Sequence, residues 1–171
     1  MKKNKNEKSI NTEDVKIKTE CHKPIMAKLK KSKIEILIPN GYEKVPYKNP
    51  VIGLFANAFN EKLLYHKIVE DSDDIILIYK TTVDKAMNFT DTQGLIMGIH
   101  NCMADNQGLI EVKSGETKLG YKYIYSIVKT VKELGGVEYY LRMNLSCGKD
   151  IVEINANFAE TNVTGKREAM C

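Results

Sequence analysis

Tryptophan is absent from these 171 residues, and proline and cysteine are scarce at four each. The cysteines (Cys21, Cys102, Cys147 and Cys171) are scattered and form no CxxC pair. That spacing excludes a dense disulfide framework and a zinc ribbon, and leaves free thiols as the simplest reading. No stretch approaches the roughly 18 consecutive apolar residues of a membrane helix; the longest strongly apolar run is Ile75 to Tyr79. The basic N-terminus is not followed by an apolar segment, so no secretory signal is expected and a cytoplasmic address follows by default.

Catalytic and ligand motifs are missing as well. A phosphate loop of the form GxxxxGK[ST] needs Gly where Glu160 stands and Ser or Thr where Arg167 stands, so Gly165-Lys166 matches it only superficially. Lys166 and Arg167 at a helix start would still make a weak anion site. Glu70, Asp71, Asp73 and Asp74 cluster as a hard-cation site would, but lack the Gly and distant Glu of a calcium loop and read as a solvated hairpin turn. Cys21-His22, with only His66, His100 and scattered cysteines elsewhere, falls short of four zinc ligands. A Cys–His nucleophile pair from Cys102 or Cys147 has no sharp strand-to-helix turn to present it. Accordingly no catalytic residue, no metal and no cofactor is expected. The N-x-[ST] triplets at Asn88, Asn144 and Asn162 are chance products of an Asn-rich chain.

What is present suffices for one core: 43% hydrophobic and 28% charged residues is ordinary globular usage for a single domain. The net charge of +4 is unevenly placed. Residues 1–33 carry eleven lysines against four acids, and the rest of the chain carries fifteen basic against eighteen acidic groups. A Lys-rich arm without aromatic side chains to stack on bases is read as a solvated leader, and nucleic acid is not the expected partner. Residues 1–23 are expected to be a disordered basic arm, and 24–171 a single α+β domain.

The order of elements follows from periodicity. Ile25 to Lys31 and Ile34 to Ile38 read as short strands, and Pro39-Asn40-Gly41 ends the second. Tyr42 to Pro50 reads as a loop because of Pro46 and Pro50, and 51–60 as a short helix or buried turn. Leu63 to Val69 and Ile75 to Val83 read as strands around a turn at 70–74. Thr90 with Gln93 fits a capping box, predicting a helix over 91–105 whose apolar stripe is Leu95, Ile96, Ile99, Cys102 and Met103. Gly94 and Gly98 weaken that helix by about 1 kcal/mol each.

Strands at Leu109 to Lys113, Tyr121 to Val131, Val137 to Ser146 and Ile151 to Phe158 follow, with turns at 114–116, 133–136 and 147–150. Val137, Tyr139, Leu141, Met143 and Leu145 then face the core, and Glu138, Tyr140, Arg142, Asn144 and Ser146 face away. In the last strand Val152, Ile154, Ala156 and Phe158 oppose Ile151, Glu153, Asn155 and Asn157. Thr164 is expected to cap a short C-terminal helix. The tyrosine enrichment on these strands is chiefly cross-strand packing. Tyr140 beside Arg142 on the polar face is the exception, because exposed Tyr and Arg are the residue types interfaces favour.

The strand triplet YIYSIVKT, GGVEYYLRMNL and VEINANFAE followed by TGKRE, with GYEKVPYKNPVIGLFANAFN and GIHNCMADNQGLIEV upstream, resembles a group of uncharacterised bacterial cytoplasmic domains. Its order of elements is similar to the fold of the PsbP photosystem proteins and the Mog-type Ran-binding proteins, over about residues 24–171. The resemblance implies an antiparallel sheet of about six to seven strands flanked by helices, an α/β/α sandwich used as a binding scaffold, with no catalytic residues to carry over. A non-enzymatic, soluble module that docks another protein through Tyr140 and Arg142 is the expected function. The alternative is a small-molecule binder or enzyme with a pocket between the sheet and the 91–105 helix, using His100 or His66.

Overall fold

The computed structural model describes residues 24–29, 34–46, 61–69, 71–82, 87–133 and 135–161. Two-residue alternation of apolar side chains becomes a pleated sheet wherever one set can be buried. Among the described residues nine strands form: β1 (Ile25–Lys28), β2 (Glu35–Ile38), β3 (Glu43–Lys44), β4 (Glu61–Val69), β5 (Ser72–Thr82), β6 (Gln107–Glu116), β7 (Lys122–Val131), β8 (Val137–Cys147) and β9 (Asp150–Glu160). Seven of them build one wholly antiparallel sheet in the order β3-β4-β5-β9-β8-β7-β6, and β1 and β2 form a separate ribbon. The chain lays down β3 to β5, crosses to the far edge at β6, and works back until β9 seals the gap between β8 and β5.

Register puts Ile76 opposite Ala156 and Ala156 opposite Leu141, so the expected core residues of three strands share one inner face. The β1–β2 ribbon closes that face. Ala27, Leu29, Ile34 and Ile38 pack with Leu63, Tyr65, Ile76, Ile78, Leu145 and Val152 in one buried cluster. Ile78 and Val152 are wholly inaccessible, and full burial of such a side chain is worth about 1.5–3 kcal/mol. The assignment of faces along β8 and β9 holds. The outer face, however, is not simply wet: Tyr79, Ile124 and Ile151 are buried on it.

Several expectations are corrected. The flanking helices are not supported: among the described residues there is one, α1 (Thr92–His100). The readings at 51–60, at 162–171 and for the arm at 1–23 lie outside the described residues. Tyr42 to Pro50 is not all loop, because Glu43 and Lys44 pair with His66 and Tyr65 before Pro46 is reached. Asp73 and Asp74 do not form a turn. They are strand residues, and the buried Asp74 carboxylate accepts hydrogen bonds from Ser72 Oγ at 2.6 Å and Tyr42 Oη at 3.4 Å. Likewise Ser114-Gly115-Glu116 continues β6, and the chain reverses at 117–120, with Gly120 at φ 82°.

Helix α1 is shorter than its apolar stripe and is capped one residue later than expected. The Thr90 hydroxyl and amide are both spent on Asn88 Oδ1, at 2.8 and 3.0 Å. Asp91 caps instead, its Oδ1 accepting the Gly94 amide at 2.8 Å, where a carboxylate also meets the positive end of the helix. At the other end a tighter bond from Cys102 N to Ile99 O closes the last turn, and the Gln107 side chain binds the Ala104 amide. None of the α1 side chains is fully buried, and Cys102 is exposed rather than packed as a small hydrophobe.

Candidate functional site

The outer face of the three central strands carries a connected set of polar side chains. Arg142 sits opposite Asn155 across β8 and β9, and Tyr79 sits opposite Glu153 across β5 and β9. Period-two geometry therefore delivers Tyr140, Arg142, Asn155, Glu153 and Tyr79 to one side of the sheet. Asn155 is the hub. Its Oδ1 accepts from Tyr140 Oη at 2.9 Å, and its Nδ2 donates to Tyr79 Oη at 3.2 Å and to Glu153 Oε1 at 3.0 Å.

Glu153 is the buried anion of the group, its side chain only 8% exposed, and Arg142 supplies the cation. The guanidinium approaches in fork fashion, Nε to Oε1 at 3.0 Å and Nη2 to Oε2 at 3.3 Å. Paired nitrogens suit a carboxylate better than a single ammonium does. Burial opposes the charge on Arg142, but the attraction and hydrogen bond of Glu153 outweigh it and hold the guanidinium above its ordinary value. Burial, then the Glu153 carboxylate, pushes the Tyr79 phenol far above its usual range. Burial also raises Tyr140. Both phenols thus stay neutral donors over the whole ordinary pH range.

The outcome is a fixed base whose buried carboxylate is balanced by the Arg142 guanidinium, with two groups reaching solvent from it. Tyr140 is 41% exposed and the Arg142 side chain 54%. Their hydrogen bonds below restrict rotation, so little side-chain freedom would be lost on contact. Nearby, Asn157 donates to Glu138, which also lies 3.8 Å from Lys132.

Both residues singled out in the sequence, Tyr140 and Arg142, lie side by side on this face. Tyr79, Glu153 and Asn155 were not singled out. The signal for the last two was present, since the outward positions of β9 read Glu-Asn-Asn against the polar set of β8. The other candidates do not assemble. His100 is exposed at the end of α1, away from His66, whose Nε2 lies 2.6 Å from Asp73 Oδ1 on the neighbouring strand. Helix α1 packs beside β6, and the recess containing His66 lies at the β3 edge rather than under the helix. Cys102 and Cys147 are free thiols, and among the described residues no group of three or more His, Cys, Asp or Glu side chains is placed to hold a metal. No helix among the described residues is long and apolar enough to cross a membrane.

No protein family and no curated protein matches the chain by sequence. Solved structures do match by fold. The Ran-binding protein Mog1p of Saccharomyces cerevisiae aligns over 87% of this chain and 83% of its own, with TM-score 0.52 and 12% identity. A Pseudomonas aeruginosa protein of unknown function, a putative regulator, aligns over 87% and 90% with TM-score 0.46 and 9% identity. The cyanobacterial PsbP protein (CyanoP) of Synechocystis aligns over 80% and 78% with TM-score 0.45 and 14% identity. The chain therefore has a Mog-like fold, as the order of its elements led us to expect.

Proposed function

We propose that the chain is a non-enzymatic, cytoplasmic protein-binding scaffold that docks its partner on the outer face of β8 and β9 through Tyr140 and Arg142. The observation that carries this reading is the immobilised, half-exposed Tyr–Arg pair standing on the Asn155–Glu153 base. Aromatic and Arg side chains of low residual freedom are the usual energetic anchors of interfaces. The likeness to a Ran-binding protein supports a binding role by fold analogy, and leaves the partner's identity to the site.

A Tyr140→Ala variant tests the reading. It removes a half-exposed ring and leaves the Arg142–Glu153 pair in place, so melting should change little. A protein retained reproducibly by the wild-type chain from an extract of the source cells should be lost or weakened by tenfold or more, the loss of an anchor of about 2 kcal/mol. Undiminished retention by Tyr140→Ala would count against it.

A further inference from the structure

The large sheet ends in a two-residue strand, β3, on one side and in a ten-residue strand, β6, on the other. Strand β6 is bonded to β7 along one margin. Along its other margin, from Gly108 to Glu116, it makes no backbone hydrogen bond among the described residues. A row of unpaired amides and carbonyls is a template for a further strand.

Helix α1 is under-covered beside the same margin. It packs next to β6, and none of its side chains is fully buried. Leu95, Ile96 and Ile99 of its apolar stripe are half-exposed, and Met97 is exposed. Ile110, which the β6 bulge leaves without a partner on β7, is exposed as well. Hydrophobic surface and a free strand edge therefore adjoin, the combination expected of an interface rather than of a solvated rim.

The charges of β6 select the occupant. Glu111 and Lys113 are exposed and share one face of the strand, and the Lys113 side chain has no hydrogen bond or ion pair among the described residues. When two copies of one strand pair antiparallel, outward-bonding residues must meet outward-bonding residues, so the two-fold axis passes beside a residue and not between two. An axis at Glu111 or Lys113 sets like charges opposite each other. An axis at Val112 sets Glu111 against Lys113 of the second copy, and Lys113 against its Glu111. No other centre along β6 matches opposite charges, because its remaining charged residue, Glu116, is an odd number of positions from Lys113.

We propose that β6 pairs with β6 of a second copy of this chain about Val112, joining the two sheets into one and covering the open side of α1. The bulge at Ile110 bends the strand and confines the regular ladder to its centre, so the helix flank completes the contact. This edge lies two strands beyond β8, so the dimer and the Tyr140–Arg142 docking face stand independently of each other.

Sedimentation of the full chain under reducing conditions, from micromolar to millimolar concentration, tests the pairing. The expected result is a reversible approach to twice the mass of the chain. Lys113→Glu and Glu111→Lys should each weaken the dimer by roughly tenfold, since each puts two like-charged pairs across the axis. Mixing the two variants in equal amounts should restore association, because every charged pair across the axis is again of opposite sign. A monomer at all concentrations leaves the edge to some other partner and overturns the proposal. So does a dimer that both substitutions leave intact, or one that mixing fails to restore.

Discussion

Arg142 and Glu153 form a two-pronged ion pair in which the carboxylate is buried and the guanidinium is half in solvent. The asymmetry governs what substitution does. Removing a partner from a fully buried pair costs about 3–5 kcal/mol, because the remaining charge is stranded. Arg142 is half exposed and water can reach the vacated space, so Arg142→Ala should cost about 1–3 kcal/mol. In a Glu153→Gln background the same change should cost clearly less. A double-mutant cycle in urea checks this, and additive effects would mean that the pair is not coupled.

The two glycines of α1 should respond differently to the same substitution. A β-carbon at Gly98 would meet nothing within 4 Å, so Gly98→Ala should gain about 1 kcal/mol from helix propensity alone. At Gly94 the β-carbon would come within 2.4 Å of the Asp91 carboxylate that caps the helix. Gly94→Ala must displace that cap, a loss of about 0.5–2 kcal/mol that offsets the gain. Thermal melts of the two variants should show a rise for the first and no rise for the second.

Tyr125 on β7 donates to Glu111 on β6 at 2.7 Å, and this hydrogen bond to the carboxylate pushes its phenol up from 10.0 to about 12. A phenol raised in the folded state favours folding below its unfolded value and loses that contribution as pH climbs through the folded one. The window is therefore pH 10 to about 12. Ultraviolet titration of the nine tyrosines should show a late-ionising component that moves to lower pH in Glu111→Gln. An unmoved component would place the cause elsewhere.

Much of the sheet was legible because burial and periodicity agree there. From Tyr121 onward, side chains alternate between a face that must be buried and one that need not be, and register follows from the hydrophobic set. Charge misled at Asp73 and Asp74. A run of acids looks like a turn, and only the strand pairing reveals the Tyr42 and Ser72 hydroxyls that satisfy Asp74. At Thr90 the local motif was correct in type, but Asn88 competes for the hydroxyl, which leaves the cap to Asp91. Tyr140 and Arg142 were visible from their residue types. The Tyr79 contribution was hidden, since it joins strands far apart in the chain through Asn155.

The proposed docking face is tested most directly by site-specific photo-crosslinking in an extract of the source cells. A photoreactive phenylalanine analogue replaces Tyr140 in one preparation and Met26, on the β1–β2 ribbon, in another, since both side chains reach solvent. The expected result is a discrete adduct with one protein from position 140 and none from position 26. Adducts from position 26 alone, or none from position 140, would contradict the assignment of the β8–β9 outer face as the binding surface.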